Sequence, residues 1–92
     1  MMVIVMYDIS EDAPRNNLIK RLRYYGLRRI QKSVFCGLLE IEERFELASE
    51  FDFYLSSDKD SIALFTICES CVDSILIEGA MALPQKEEYV FV

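Results

Sequence analysis

The sequence contains no histidine. That removes the usual general base at neutral pH, the Ser-His and Cys-His nucleophile pairs, and histidine-ligated zinc. Any hydrolytic chemistry must then rest on carboxylates served by a hard metal ion. Cysteine occurs three times, an odd number that argues against a disulfide framework. No window reaches the ~18 apolar residues that a membrane span needs. The apolar run near Met1 is too short for a signal peptide, lacks a preceding basic region and ends in an acid, so a cytoplasmic location is expected. No repeat, linker or low-complexity tract interrupts the chain, and its 92 residues predict one domain, 1–92.

A chain of this size buries only about 60–65% of its unfolded surface, so its stability margin is thin. Its 52% apolar content is rich for that length, which predicts a subunit interface and a homodimer. The net charge of −6 hides a segregation. Arg15, Lys20, Arg21, Arg23, Arg28, Arg29 and Lys32 place +7 in residues 15–32, with no acid among them. Residues 1–14 carry −3, and residues 33–92 hold 13 acids against three bases. Charge gathered in this way predicts a basic surface with a binding role.

The chain is organised around Met2 to Arg15, MVIVMYDISEDAPR. The unbroken apolar run predicts a central strand buried on both faces, ending at Tyr7-Asp8. Ser10 or Asp12 is expected to cap the next helix, with Pro14 in its first turn. That helix is predicted from about Ala13 to Tyr25, with Leu18, Leu22 and Tyr25 on one stripe beside Ile19. Gly26 is the expected stop. Residues 27–41 are β-rich, with Ile30, Val34, Cys36 and Leu38 alternating onto one face. They form either one strand with a bulge near Gly37 or two strands turning near Lys32-Ser33.

A second amphipathic helix is predicted from Glu42 to Leu55, with an apolar stripe of Ile41, Phe45, Ala48, Phe51 and Leu55. Glu42, Glu43, Glu46 and Glu50 give it an acidic outer side. Ser56-Ser57-Asp58 reads as a loop, Asp60 to Cys68 as a strand, Glu69 to Asp73 as a turn and Ser74 to Glu78 as a strand. A connection over Gly79 to Lys86 leads to a last strand at Tyr89 to Val92. The order predicts an α+β sandwich with helices on one face of a mostly antiparallel sheet. The ferredoxin-like βαββαβ plan fits best, with one extra C-terminal strand that extends its own sheet or crosses to a partner's edge.

Read alone, Asp8 is either a solvated acid helping to cap the following helix or a metal ligand. One carboxylate binds magnesium weakly, because the ion demands octahedral oxygen coordination. Two copies across a dimer axis supply two carboxylates plus waters. Arg15, Arg28, Arg29 and Lys32 lie at element ends and are the preferred phosphate contacts, sequence-independent and salt-sensitive. Tyr24 and Tyr25 are expected to pack in the core or at an interface rather than stack on bases. Cys68-Glu69-Ser70-Cys71 is a C-x-x-C, but with Cys36 it offers zinc only three of the usual four ligands. Its surroundings do not suggest a redox fold, and buried cysteines are expected. Ser33 has no base placed beside it and reads as a structural or phosphate-binding hydroxyl.

Several segments together resemble one family. They are the strand ending in Tyr7-Asp8-Ile9, Arg15 early in the helix, Tyr25-Gly26-Leu27, Gln31-Lys32-Ser33-Val34-Phe35 and Gly37. Asp60-Ser61, the Cys68 to Cys71 turn, Gly79 and the Tyr89 to Val92 strand continue the likeness. The chain resembles the Cas2 family of CRISPR-associated proteins over nearly its whole length, most specifically in its first forty residues. The resemblance implies a ferredoxin-like fold and a symmetric homodimer whose C-terminal strand, here Tyr89, Val90, Phe91 and Val92, reaches a partner. It implies that Asp8 and its twin hold magnesium near the two-fold axis, as a catalytic centre for a metal-dependent endonuclease acting on RNA or DNA. It also implies a scaffold in spacer acquisition, bridging copies of the Cas1 integrase (the Cas-one protein) and holding double-stranded DNA. Cys36 departs from the family, which often has an acid at that place. A toxin-type endoribonuclease or a small regulatory domain of the same fold is the alternative.

Overall fold

The computed structural model describes residues 1–83. Strand β1 (Met2–Asp8) leads into helix α1 (Asp12–Tyr24), then β2 (Arg28–Gln31) and β3 (Val34–Leu38). Helix α2 (Ile41–Ser49), a 3-10 turn at Phe51–Tyr54, strand β4 (Ser61–Ile67) and a one-turn helix α3 (Glu69–Val72) follow. The sheet order is β2-β3-β1-β4, and every neighbouring pair is antiparallel. This is the expected α+β, ferredoxin-like βαββαβ plan. Among the described residues, no helix is long and apolar enough to cross a membrane.

Strand β1 is central, as its composition demands, and pairs with β3 on one side and β4 on the other. Period-two alternation sends Val3, Val5 and Tyr7 to the helix-covered face. There they form the core with Leu18 and Leu22 of α1, Leu47 of α2, and Phe35. The opposite face is only partly covered. Met2 and Cys36 are buried on it, but Met6 is 46% exposed and Phe65 on β4 is 52% exposed. The expectation of burial on both faces therefore fails at the Asp8 end of the strand.

Helix α1 buries the expected stripe of Leu18 and Leu22, with Ile19 and Tyr25 packed alongside. Its N-cap is Glu11, and no side chain caps it. Neither Ser10 nor Asp12 takes that role, since Ser10 turns to Asp60 instead. At the other end the Gly26 N–H donates to the Arg23 carbonyl and the Leu27 N–H to that of Leu22, at 2.9 and 3.1 Å. This Schellman arrangement needs a left-handed residue, and Gly26 has φ 85°. Leu27 and Leu22 then both enter the core.

Residues 28–38 are two strands, turning at Lys32-Ser33, with a register shift between Arg29 and Gln31. The second alternative holds, and the irregularity sits in β2 rather than near Gly37. Gly37 has a different duty. A Cβ there would lie 3.1 Å from Leu27 Cα and 3.2 Å from its Cγ. The absence of a side chain lets β3 run against the chain leaving α1.

Helix α2 departs from expectation. It ends at Ser49, and the Glu43 carboxylate accepts the Glu40 N–H at 2.8 Å to brace its start. Of the expected apolar stripe only Phe51 packs against the core, while Ile41 is 51% and Phe45 63% exposed. Leu47 is fully buried, and Phe51 and Tyr54 pack beside the core. Leu47, Phe51 and Tyr54 follow i, i+4, i+7 spacing, a line that shares only Phe51 with the expected stripe. Ser74 to Glu78 is not a strand, and Leu76 is 94% exposed. The strand expected at Tyr89 to Val92 lies outside the described residues.

Candidate functional site

The C-terminal end of β1 carries the site. Pairing with β4 sets Asp8 opposite Ser61 and Met6 opposite Ala63. Met6, Tyr7, Asp8, Ser61, Ala63 and Phe65 line an open hollow of about 230 Å³. Its floor is apolar, with one carboxylate and one hydroxyl at the rim. Asp8 is exposed.

Three residues, Tyr7, Arg15 and Asp60, hold this end of the strand. The Tyr7 N–H donates to the Ser33 carbonyl at 3.1 Å, and the Tyr7 hydroxyl to the Lys32 carbonyl at 3.2 Å. The β2–β3 turn is thereby fastened beside Asp8. On the far side, Arg15 Nη1 donates to the Ile9 carbonyl at 3.0 Å, and Nη2 pairs with Asp12. Arg15 thus clasps the loop that follows Asp8. Asp60 anchors the same loop from the start of β4. It accepts from Ser10 N–H and Oγ, Ser56 N–H and Oγ, and Ser57 Oγ, at 2.8 to 3.1 Å. Donation from Ser56, and then from Ser10, holds its carboxyl far below the usual carboxylate range.

The structure gathers Asp8, Arg15 and Lys32 at one end of the sheet. Arg28 and Arg29 lie apart, on the edge strand β2, opposite Cys36 and Phe35. The Arg29 guanidinium carbon stands 5.3 Å from the Phe35 ring centroid, and that of Arg23 stands 6.0 Å from it on the α1 side. Arg23 therefore joins Arg29 in one basic corner. Its membership of the basic stretch was the signal for it, but a helix position gives no hint of an edge-strand neighbour. Arg21 is engaged differently, donating to both Glu50 carboxylate oxygens at 2.8 and 2.9 Å and tying α1 to the end of α2. Its guanidinium also stands 4.7 Å from the Tyr24 ring centroid, and Tyr24, 74% exposed in the single chain, meets the Tyr25 ring edge-on at 5.5 Å. Tyr25 is half-buried against the core.

Magnesium can be tested against these donors. Among the described residues, no group of three or more acids or cysteines converges. One chain offers the Asp8 carboxylate with the Ser61 hydroxyl across the strand pair, too few for an octahedral ion. The donors are hard oxygens of the right kind, and further oxygens would have to complete the shell. The cysteines do not serve this site: Cys36 is buried, and Cys68 and Cys71 are exposed, contrary to the expected burial.

An antiparallel βαββαβ sheet with helices over one face and an acid at the end of its central strand defines a ferredoxin-like domain. The family model described as CRISPR associated protein Cas2 matches residues 1–75, and the chain belongs to that family. It is 35% identical over 77 residues to CRISPR-associated endoribonuclease Cas2 1 of Archaeoglobus fulgidus, covering 84% of this chain and 82% of that protein. It is 37% identical over 76 residues to a CRISPR-associated endonuclease Cas1/endonuclease Cas2 fusion of Thermoproteus tenax, covering 83% of this chain and 29% of the fusion. The fold is similar to the crystal structure of Streptococcus pyogenes Cas2 (TM-score 0.70, 23% identity), covering 86% of this chain and all of that one.

Proposed function

We propose that the chain acts in CRISPR adaptation as a homodimeric scaffold that holds double-stranded DNA beside the Cas1 integrase. The observation that carries the partnership is the Thermoproteus relative, in which a Cas1 and a Cas2 endonuclease are one polypeptide. Dimerisation is supported by the open end of the sheet, where Met6 and Phe65 stand half exposed around the hollow. A second copy laid on this face removes both from water and brings two Asp8 carboxylates to one axis.

Asp8 and its twin are the magnesium ligands of this reading, with Ser61 the nearest hydroxyl on the neighbouring strand. When bound, the ion acidifies a water and offsets charge at a phosphate. The protein's own share is positional. Asp60 and Arg15 keep the loop after Asp8 in place, Lys32 adds positive charge beside it, and Arg28 and Arg29 extend the charge along the sheet edge. The second reading, a metal-dependent endoribonuclease, is favoured by the activity in the names of the relatives.

Asp8→Ala separates the two. Spacer acquisition is expected to survive this change, and metal-dependent cleavage of RNA or DNA to disappear. Acquisition lost in a folded, dimeric variant would overturn the scaffold. A pull-down with Cas1 and a short duplex, comparing the full chain with one ending at Lys86, tests the partner. A ternary complex that needs Tyr89, Val90, Phe91 and Val92 places the contact there. No complex with either protein leaves the nuclease reading.

A further inference from the structure

The three cysteines fall into two chemical classes. Cys36, in the middle of β3, is fully buried, and burial pushes its thiol up to about 11. Cys68 and Cys71 are both exposed, on the turn that directly follows β4. That turn is braced by its backbone. Cys71 and Val72 N–H both donate to the Cys68 carbonyl at 3.0 Å, and Ser74 Oγ donates to the Cys71 carbonyl at 2.7 Å. Cys68 is the N-cap residue of α3, with extended backbone (φ −70°, ψ 160°), and Cys71 follows three residues on, inside that turn.

Around Cys68 the contacts favour the thiolate. Its Sγ lies 3.3 Å from Ser70 Oγ. Hydrogen bonding from Ser70, then from the Cys71 thiol and backbone N–H, holds the Cys68 thiol down at about 7. The Cys71 thiol, donating to Cys68, is moved up. Cys68 is thus the readier nucleophile of the two, and Cys71 follows it three residues on in the same exposed turn. Among the described residues, no third acid or cysteine converges on the pair.

We propose that Cys68 and Cys71 form a reactive dithiol that closes to an intramolecular disulfide by exchange with small-molecule disulfides. The Cys68 thiolate attacks one sulfur of the small disulfide RSSR. A Cys68–SR bond forms as the RS–SR bond breaks, and RS⁻ leaves with the electron pair. Cys71 loses its proton to solvent and attacks the Cys68 sulfur, expelling a second RS⁻ and forming the Cys68–Cys71 bond. The two cysteines are oxidised by two electrons, and one small disulfide is reduced to two thiols. An exposed bond of this kind is labile, so thiol reductants reverse it. Closure clips the point at which the chain leaves the sheet beyond β4.

The test uses the full chain, reduced and then incubated with oxidised glutathione at neutral pH. Free thiols are alkylated afterwards, and peptides are mapped by mass. The Cys68–Cys71 peptide is expected to lose two hydrogens and escape alkylation, while Cys36 reacts only after denaturation. In the native protein, Cys68 should alkylate more than about a hundredfold faster than Cys36, with a midpoint near pH 7. Cys71→Ser should trap glutathione on Cys68, and Cys68→Ser should leave Cys71 largely unmodified. Free thiols at both positions in excess glutathione disulfide would overturn the proposal. So would a persistent mixed disulfide in the unaltered chain, or a cross-link between chains as the product.

Discussion

Ser10 donates both its backbone N–H and its hydroxyl to one oxygen of Asp60, at 3.1 and 3.0 Å, across fifty residues of chain. The loop leaving Asp8 is thereby tied to the start of the strand that lies beside it. Asp60 holds it by the charge-assisted bonds that a carboxylate makes when it is ionised.

Stability should fall with acid in a way traceable to Asp60. Its folded carboxyl is depressed far below the ordinary value. Such a group contributes stability above the unfolded pKa of about 3.9 and loses it as pH falls through lower values. Asp60→Asn should lower the urea midpoint at pH 7, and the gap from the unaltered protein should narrow below about pH 4. A gap unchanged between pH 7 and pH 3 would contradict this account.

Phe65→Lys should give a monomer if two copies meet on the open face. Phe65 is 52% exposed in the single chain, so the change leaves the core untouched. Light scattering after gel filtration reads the mass, and circular dichroism checks the fold. A dimer that persists would place the interface elsewhere.

Arg28→Glu combined with Arg29→Glu should weaken duplex binding for every sequence alike, on the order of tenfold or more at low salt. The slope of log affinity against log salt should flatten by about 0.9 for each phosphate that the protein no longer neutralises. Binding unchanged in strength and slope would remove the edge strand from the DNA track.

Gly37→Ala should cost about 1–3 kcal/mol, because the new methyl meets the Leu27 backbone rather than a yielding side chain. Chemical denaturation reads the loss. Stability equal to that of the parent would mean that β3 can move away from the chain after α1 without cost.

Much of the fold was legible because the pattern was periodic. The apolar run at Met2 to Asp8, the Leu18–Leu22 stripe and the Gly26 stop each follow from local geometry, and each stands where expected. The second helix misled because Ile41, Phe45 and Leu55 are as large and apolar as Leu47, Phe51 and Tyr54, so size and hydropathy do not say which line packs. Which line faces inward depends on where α2 meets the sheet, and Leu47 wins that place. Ser10 looked like a cap because its rival partner, Asp60, lies fifty residues away.

The sequence by itself determined the order of elements, the central strand ending in Asp8, the segregation of charge and the likeness to the Cas2 family. These depend on periodicity, turn chemistry and motif, all of which are local in the chain. Only the tertiary structure decided that Arg15 bonds the Ile9 carbonyl and that the Lys32-Ser33 turn is fastened to Tyr7, while Arg28 and Arg29 stand on the edge strand. It alone showed that one face of the sheet opens beside Asp8, and that Cys68 and Cys71 are exposed while Cys36 is not. Those distinctions arise from strand pairing and from which surfaces meet, and no stretch of sequence contains both partners.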